Sequence, residues 1–327
     1  GGGAVKADGR RAGAAVAAGT LAQAGAFAHD VDPSRLAVRY RITGRDVADV
    51  AEAIRVEQTI EFPVDLAAEW IQRDVVGSVE EADGDHVVVS YAPGVVEGGL
   101  TQVLNVLWGN VSIFEGVRVE GIRLPRGEAG LRGPRFGTAG IRSLFEAPQR
   151  ALLTTALKPM GSSSSELAAV AGTLAAAGLD IIKDDHSLGD QAWSPWRERV
   201  ARCSEAVAEA NAATGGRAVY MPSMNVPAPE MQERAHLAKS LGAGALLALP
   251  GISGFDAMRA LADDDELALP IMSHPSMLGS LMVSPGQGIA HGLVIGLINR
   301  LAGADLAVFP NLGGRFSFSP APCAELR

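Results

Sequence analysis

This sequence lacks long apolar runs, cysteine pairs and an excess of basic residues, and each absence argues against one class of protein. Nowhere in the 327 residues do eighteen consecutive apolar residues occur, so we expect no membrane-spanning helix. Lysine and arginine total 28 against 37 aspartates and glutamates, and the formal net charge of −9 argues against nucleic acid as a partner. The only cysteines, Cys203 and Cys323, lie far apart and indicate neither a disulfide framework nor a zinc site. We therefore expect a cytoplasmic protein.

Alanine and glycine dominate residues 1–32, which we interpret as an extension. Arg10 and Arg11 precede a weakly apolar stretch, an arrangement compatible with a twin-arginine export signal. Because leucine, isoleucine and valine are scarce there, a disordered or loosely helical extension is the favoured interpretation.

Hydrophobic periodicity divides the remaining chain into two domains. Residues 33–125 predict a small α+β domain, with strands in LAVRYRIT, HVVVSYA and VRVEGIRLP and helices in DVADVAEAIRVEQT and GLTQVLNVLWGN. Glycine and proline are frequent in residues 126–149, which we interpret as a linker. In residues 150–327 apolar strands alternate with helices, a pattern typical of a parallel sheet buried on both faces. It contains six βα units where an α/β barrel has eight, so we expect an open sheet or a chain that stops before strands 7 and 8.

Five successive strands of this predicted sheet end in polar residues. Because the C-terminal ends of parallel strands meet at one rim, these residues predict a functional site there. A solvated charge cluster that opens a loop is the alternative for the KDDH run, and a core histidine for His274. The strand-end residues are Lys158; Lys183, Asp184, Asp185 and His186; Asn225; Ser273 and His274; and Asn311 with Gly313, Gly314 and Arg315.

The residue types suggest metal binding and proton transfer. Asp185 and His186 could hold a divalent cation, although Mg²⁺ prefers oxygen ligands and His186 suits Mn²⁺ or Zn²⁺ better. Lys183 is either an ion-pair partner of the carboxylates or, with a lowered pKa, a general base. Strand alternation predicts Lys183 and Asp185 on one face and Asp184 and His186 on the other.

In this order, the motifs resemble the large subunit of ribulose-1,5-bisphosphate carboxylase/oxygenase (RuBisCO) from about residue 35 onward. The family's G-x-D-x-x-K-x-D-E pattern is similar to GLDIIKDDH here, its K-P-x-G segment to TALKPMG, and its histidine segment to SHPSMLGS. LWGN is similar to the family's V-G-N segment, which places Asn110 where an asparagine of a partner subunit enters the active site. Glu57 lies near the position of the family's N-terminal glutamate. The resemblance implies a ferredoxin-like α+β domain followed by a TIM-type α/β barrel.

Four departures from the family pattern indicate a RuBisCO-like protein of the non-carboxylating form IV. His186 stands where the family has a glutamate metal ligand, and Met160 where it has a second lysine. Pro275 replaces a phosphate-binding arginine, and Arg315 aligns with the mobile-loop lysine that polarises CO₂. Arginine keeps the charge but not the compact ammonium.

The resemblance also implies a reaction and cofactors. Lys183, carbamylated by CO₂, would join Asp185 and His186 in holding Mg²⁺, with Mn²⁺ as a second choice. Lys158, Lys183 and His274 are then the candidate catalytic residues, and the candidate substrate-binding residues are Asn110, Glu57, Arg315, Gly313 and Gly314. We expect enolisation of a phosphorylated ketose of the 5-methylthioribulose 1-phosphate kind. Decarboxylation or hydrolysis of a 3-oxo-isoapionate compound, or a catalytically inactive structural or regulatory dimer, are the alternatives.

As partners, the resemblance implies a phosphorylated sugar or sugar acid and a second copy of the chain. We expect a homodimer, or a larger assembly of dimers, in which Asn110 and Glu57 of one subunit complete the site of the other.

Overall fold

The computed structural model describes a defined part of the chain, and all structural statements below concern that part. Most of the predicted alanine- and glycine-rich extension lies outside it. Within the described residues, no helix combines the length and apolarity needed to cross a membrane. The described residues are 23–24, 27, 31–125, 131–316 and 318–326.

The first half of the chain forms an antiparallel sheet with helices inserted between its strands. The spatial order is β1-β5-β2-β4-β3, and from β2 to β5 the succession is β-α-β-β-α-β with one additional short helix, α2, before β3, in agreement with the predicted ferredoxin-like arrangement. The elements are β1 (Gln23–Ala24), β2 (Leu36–Ile42), α1 (Val47–Glu57), α2 (Glu69–Asp74), β3 (Ser78–Asp83), β4 (His86–Tyr91), α3 (Leu100–Trp108) and β5 (Val117–Arg123), with 3₁₀ turns at Val64–Leu66, Pro93–Val95 and Asn110–Ile113.

Alternation along β2 explains how this sheet packs. Leu36, Val38, Tyr40 and Ile42 are all buried in one core cluster, as expected when every second side chain of a strand points to the same face. Asp46 begins α1 by accepting a hydrogen bond from the Asp49 amide at 2.9 Å, which satisfies one of the free amides at the helix start.

Parallel strands make up the second half of the chain. They form two three-stranded sheets, β6-β7-β8 and β9-β10-β12, joined by a parallel bridge between Ser223 and Leu247. The strands are β6 (Thr154–Leu157), β7 (Ile181–Asp184), β8 (Val219–Met221), β9 (Leu246–Ala248), β10 (Ile271–Ser273), β11 (Gly288–Ile289) and β12 (Leu306–Ala307). The helices are α4 (Gly137–Leu144), α5 (Ser164–Ala176), α6 (Trp196–Thr214), α7 (Met231–Ser240), α8 (Pro250–Ser253), α9 (Phe255–Asp263), α10 (Gly279–Met282), α11 (Asn299–Leu301) and α12 (Pro320–Glu325), with a 3₁₀ turn at Ala228–Glu230 and a π-helix at Gly292–Ile298.

Helix α4 lies inside the segment that composition assigned to a linker. The Asp305 carboxylate accepts hydrogen bonds from the amides of Phe136 and Gly137, at 2.7 and 2.9 Å, and so satisfies the start of this helix. Ile141 and Phe145 are buried in a core cluster with residues of the parallel strands. Glycine content therefore misled the prediction, because the partners that stabilise α4 lie far along the chain.

Strand β11 joins the two halves of the chain. Gly288–Ile289 pair in parallel with β5 of the first sheet, and a π-helix follows at Gly292–Ile298. Gly288 has a φ of 107°, and a Cβ there would collide with the Leu281 carbonyl oxygen. The positive φ and the close Leu281 carbonyl together require glycine at the start of β11.

Candidate functional site

A cavity of about 580 Å³ lies at the C-terminal ends of the parallel strands. Seven of the ten predicted site residues line it: Lys158, Lys183, Asp185, His186, His274, Gly314 and Arg315. Glu57, Asn110 and Gly313 do not line it. The fold thus brings to one place the polar ends of strands that are separated by more than a hundred residues, as the barrel rule predicts.

Asp184, in the middle of the KDDH run, points away from the cavity into a buried hydrogen-bond network. Its carboxylate accepts hydrogen bonds from Arg199 Nε at 3.1 Å, the Tyr220 hydroxyl at 2.7 Å and the Ser223 amide at 3.0 Å. The side chains of Asp184 and Arg199 are fully buried. This polar residue therefore orients the strand end and takes no part in the cavity.

Lys183 and Asp185 flank Asp184 and both face the cavity, as strand alternation predicted. Lys183 is 8% exposed, and burial lowers its pKa against the opposing effect of Asp185 and Asp184. Burial works against ionisation of Asp185, but the Ser187 hydroxyl at 2.7 Å, His186 and Lys158 outweigh it, so the pKa of Asp185 is lowered. The protonated form of Lys183 is thus disfavoured, while the ionised form of the neighbouring Asp185 is favoured.

His186 faces the cavity as well, which corrects the prediction that it would share the face of Asp184. The strand ends at Asp184, so the alternation no longer applies two residues later. The His186 ring stacks on His274 with centroids 4.3 Å apart and planes at 14°, and its Nδ1 lies 3.4 Å from Asp185 Oδ1.

His274 is held in one tautomer by its own loop. Its Nδ1 accepts a hydrogen bond from the Ser276 amide at 3.2 Å and lies 2.9 Å from the Ser276 hydroxyl. Burial, followed by the charges of His186 and Lys183, lowers the pKa of His274 to about 4. The ring is therefore neutral at physiological pH, with its proton on Nε2, where it serves as a hydrogen-bond donor.

Lys158 and Arg315 bring positive charge to the mouth of the cavity. Lys158 Nζ lies 3.4 Å from Asp185 Oδ1, while 60% of its side chain remains exposed. The Arg315 guanidinium lies 4.5 Å from the centre of the Phe316 ring and is exposed. Both cations can therefore meet an anionic ligand without a large desolvation cost.

Glu57 and Asn110 come together in the first domain, away from this cavity. Asn110 Nδ2 donates to Glu57 Oε1 at 2.9 Å and to Glu61 Oε1 at 3.2 Å, and the group is on the surface. Glu61 was not singled out in the sequence. Its φ of 44° is unusual for a residue other than glycine.

Sequence reasoning also missed two serines and an apolar wall. Ser187 and Ser276 each follow a predicted site residue by two positions, a spacing typical of local side-chain turns that could have indicated them. The apolar wall could not be read from local pattern, because its members come from separate segments. They are Met282, Val283, Val308, Phe309, Phe316 and Phe318.

The fit of this site to a divalent cation depends on one modification. Among the described residues, no cluster of three or more histidine, cysteine, aspartate or glutamate side chains could hold a metal ion. Asp185 and His186 supply one carboxylate and one imidazole. A carbamate on Lys183 would add the missing oxygen ligands, and the lowered pKa of Lys183 favours the neutral amine that reacts with CO₂. The residues fit Mg²⁺ or Mn²⁺ in that form.

Comparison with known proteins defines the class of this fold and site. The family model of the ribulose bisphosphate carboxylase large chain, catalytic domain, matches residues 137–313. The chain belongs to this family, with a TIM-barrel catalytic domain that follows an N-terminal domain, and the resemblance drawn from its motifs is confirmed.

Within the family, similar proteins include RuBisCO-like proteins and a named isomerase. Ribulose bisphosphate carboxylase-like protein 1 of Rhodopseudomonas palustris is 36% identical over 89% of this chain and 80% of its own length. The 5-methylthioribulose-1-phosphate isomerase of Rhodospirillum rubrum is 34% identical over 89% of this chain and 78% of its own. A crystal structure of a Rubisco-like protein from Rhodopseudomonas palustris, 38% identical, superposes with a TM-score of 0.80 over 90% of this chain and 82% of that one.

Proposed function

We propose that this protein is a RuBisCO-like isomerase that enolises a phosphorylated ketose of the 5-methylthioribulose 1-phosphate kind and does not fix CO₂. The observation that carries the proposal is the convergence of Lys158, Lys183 and His274 on one cavity. Enolisation needs a base within hydrogen-bond reach of a carbon acid and donors that stabilise the oxyanion that develops. A relative that is named as such an isomerase supports the choice of substrate.

Two lysines can carry the proton, and the state of Lys183 decides between them. As a free amine with a lowered pKa, Lys183 is the base. As a carbamate, it would hold a cation together with Asp185 and His186, and Lys158 would carry the proton. When bound, the cation supplies electrostatic stabilisation of negative charge on the substrate oxygens.

The remaining residues bind the substrate. His274 donates its Nε2 proton to a substrate oxygen, since Nδ1 is occupied by Ser276. Arg315 holds the phosphate, which is a good partner for a guanidinium, and Gly314 lines the cavity beside it. We propose that Glu57 and Asn110 complete the cavity of a second copy of the chain in a homodimer.

The positions that differ from the carboxylase pattern support the non-carboxylating assignment. Pro275 lines the cavity and offers no charge to a second phosphate. Met160 is 49% exposed and does not line the cavity. The cavity therefore suits a substrate with one phosphate and an apolar end better than a bisphosphate.

Proton NMR in D₂O, with Mg²⁺ and bicarbonate, tests the proposal directly. Given 5-methylthioribulose 1-phosphate, the protein is expected to form an isomeric ketose, and deuterium incorporation shows whether the transferred proton meets solvent. Repeating the assay without bicarbonate separates the two states of Lys183, because only the carbamate depends on CO₂.

Lys158→Met provides the matching variant. It should lower turnover by about 10²- to 10⁴-fold, as expected for loss of a proton carrier, with the melting temperature unchanged. Met160→Leu, two residues away and outside the cavity, is the control and should keep full activity. No conversion while metal is bound would redirect the assignment to 3-oxo-isoapionate decarboxylation or hydrolysis, and failure to bind metal would favour an inactive structural dimer.

A further inference from the structure

One wall of the cavity is formed by a segment that the first domain holds in place. After β10, the chain passes His274, Pro275 and Ser276, then α10, and reaches β11 at Gly288. Met282 and Val283, in this segment, line the cavity. The position of residues 282–287 therefore sets the shape of the cavity on this side.

Arg118, on β5 of the first domain, reaches across and binds this segment. Its Nη1 donates to the carbonyl oxygens of Ser284 at 2.6 Å and Gln287 at 3.1 Å, and its Nη2 donates to that of Met282 at 3.3 Å. The residue is 7% exposed. A buried guanidinium that bonds to three carbonyls of one short loop restrains that loop at three points.

Further contacts place the same segment against the first domain. Gly288 pairs with Arg118 itself, and Ile289 pairs with Val119, in parallel register. Gln287 Nε2 donates to the Ser112 carbonyl at 3.1 Å. Arg41, on β2, also donates from Nη2 to the Pro285 carbonyl at 2.5 Å. The strand pairing therefore fixes one end of the loop and Arg41 contacts its middle, while Arg118 binds on both sides of Pro285 and reaches the start of the loop at Met282.

We infer that Arg118 is a positioning residue, which holds the 282–287 wall and so aligns Met282 and Val283 with the substrate. The inference rests on the proposed function for its kinetic consequence only. Since Arg118 does not line the cavity, it acts through the backbone that it binds. A displacement of about 1 Å in such a wall can cost up to ~10²-fold in catalytic efficiency.

Arg123, on the same strand, offers a matched control. Its Nη2 donates to the carbonyls of Val31 at 2.6 Å and Asp32 at 3.3 Å, which precede β2 and do not line the cavity. Arg118→Ala and Arg123→Ala each remove a guanidinium that bonds to backbone carbonyls. Only the first removes contacts to the cavity wall, so the pair separates positioning from general loss of stability.

The primary test is ¹³C-methyl NMR of methionine in the full chain, combined with amide hydrogen exchange. The protein has eight methionines, and Met282→Leu assigns the signal of Met282. Arg118→Ala should shift the Met282 methyl signal and raise exchange of the Val283 amide, which donates to the Gly279 carbonyl at 3.0 Å, by about tenfold, because the segment opens more often once the bonds from Arg118 are lost. Arg123→Ala should leave both unchanged. An unmoved Met282 signal, or unchanged exchange in Arg118→Ala, would overturn the inference whether or not the protein is an isomerase.

The kinetic arm tests the consequence. With 5-methylthioribulose 1-phosphate, Arg118→Ala should lose about 10- to 100-fold in kcat/KM, and added guanidinium at non-denaturing concentration should restore part of it. Arg123→Ala should retain wild-type kcat and KM. Unchanged kinetics in an active Arg118→Ala protein would contradict the positioning role. Inactive wild-type protein would instead refute the proposed function and leave the NMR result to decide the inference.

Discussion

Replacement of Arg199 by methionine should destabilise the protein strongly, because it leaves a buried carboxylate without its cation. Asp184 would keep the bonds from Tyr220 and Ser223, but lose that from Arg199 Nε. The carbonyls of Ser194 and Gly189, each bound by Arg199 at 2.7 Å, would lose their donor. Breaking a fully buried pair from one side costs about 3–5 kcal/mol of unfolding free energy.

The destabilisation should depend on pH with a definite sign. Burial already raises the pKa of Asp184, and Arg199 is the first of the groups that oppose it. Without Arg199 that pKa rises further above the unfolded value. The folded variant then binds a proton more tightly than the unfolded chain, so its stability is highest at low pH and falls as pH rises between the two pKa values. The loss relative to wild type is therefore expected to be larger at pH 8 than at pH 5.

Urea unfolding followed by circular dichroism at these two pH values measures both effects. Arg202→Met, on the same helix, removes an exposed pair with Glu198 at 2.7 Å and should cost less than about 0.5 kcal/mol. Adding Asp184→Asn to Arg199→Met should recover stability, because the unpaired charge is gone. A loss below about 1 kcal/mol for Arg199→Met, or an equal loss at both pH values, would refute the reasoning.

Three further predictions concern the cavity, a surface carboxylate and the assembly. Lys183→Arg keeps a charge but can be neither a neutral base nor a carbamate, so calorimetry should show lost Mg²⁺ binding in bicarbonate and the NMR assay lost turnover; retained activity would remove Lys183 from the mechanism. The Asp264 carboxylate accepts hydrogen bonds from Leu267 N at 2.9 Å and His236 Nε2 at 2.7 Å. Burial opposes its ionisation, but these bonds prevail and lower its pKa. The stability that this carboxylate contributes is therefore present above its unfolded pKa and lost as pH falls through the folded value. Asp264→Asn should thus reduce the melting temperature most at pH 7 and progressively less as the pH falls below the unfolded pKa, and a reduction that does not change with pH would contradict this. If sites are shared between subunits, mixing inactive Asn110→Ala and Lys158→Met proteins should restore up to about a quarter of the activity, whereas sites confined to one subunit would give none.

Much of the fold followed from periodicity, because local pattern and tertiary structure agree there. The alternation of LAVRYRIT predicted β2, whose Leu36, Val38, Tyr40 and Ile42 are buried in one cluster, and apolar runs predicted the parallel strands. Helix α4 and strand β11 were missed since each depends on a distant partner, Asp305 in one case and Arg118 in the other. At α4, local glycine content gave the opposite indication.

For the candidate site, the sequence by itself determined which side chains are available and that they follow apolar strands. Lys158, Lys183, Asp185, His186 and His274 could be named from their strand-end positions, because parallel strands bring their C-terminal ends to one rim. Their roles as proton carriers or ligands remain predictions.

Only the tertiary structure decided how those side chains differ from one another. Asp184 forms a buried ion pair with Arg199 of helix α6, while its neighbour Asp185 faces the cavity. The lowered pKa of Lys183 and the fixed tautomer of His274 arise from burial and from groups brought together by folding. Burial, pKa and the shape of the cavity wall depend on distances between residues remote in the chain, and a local sequence pattern carries no information about those distances.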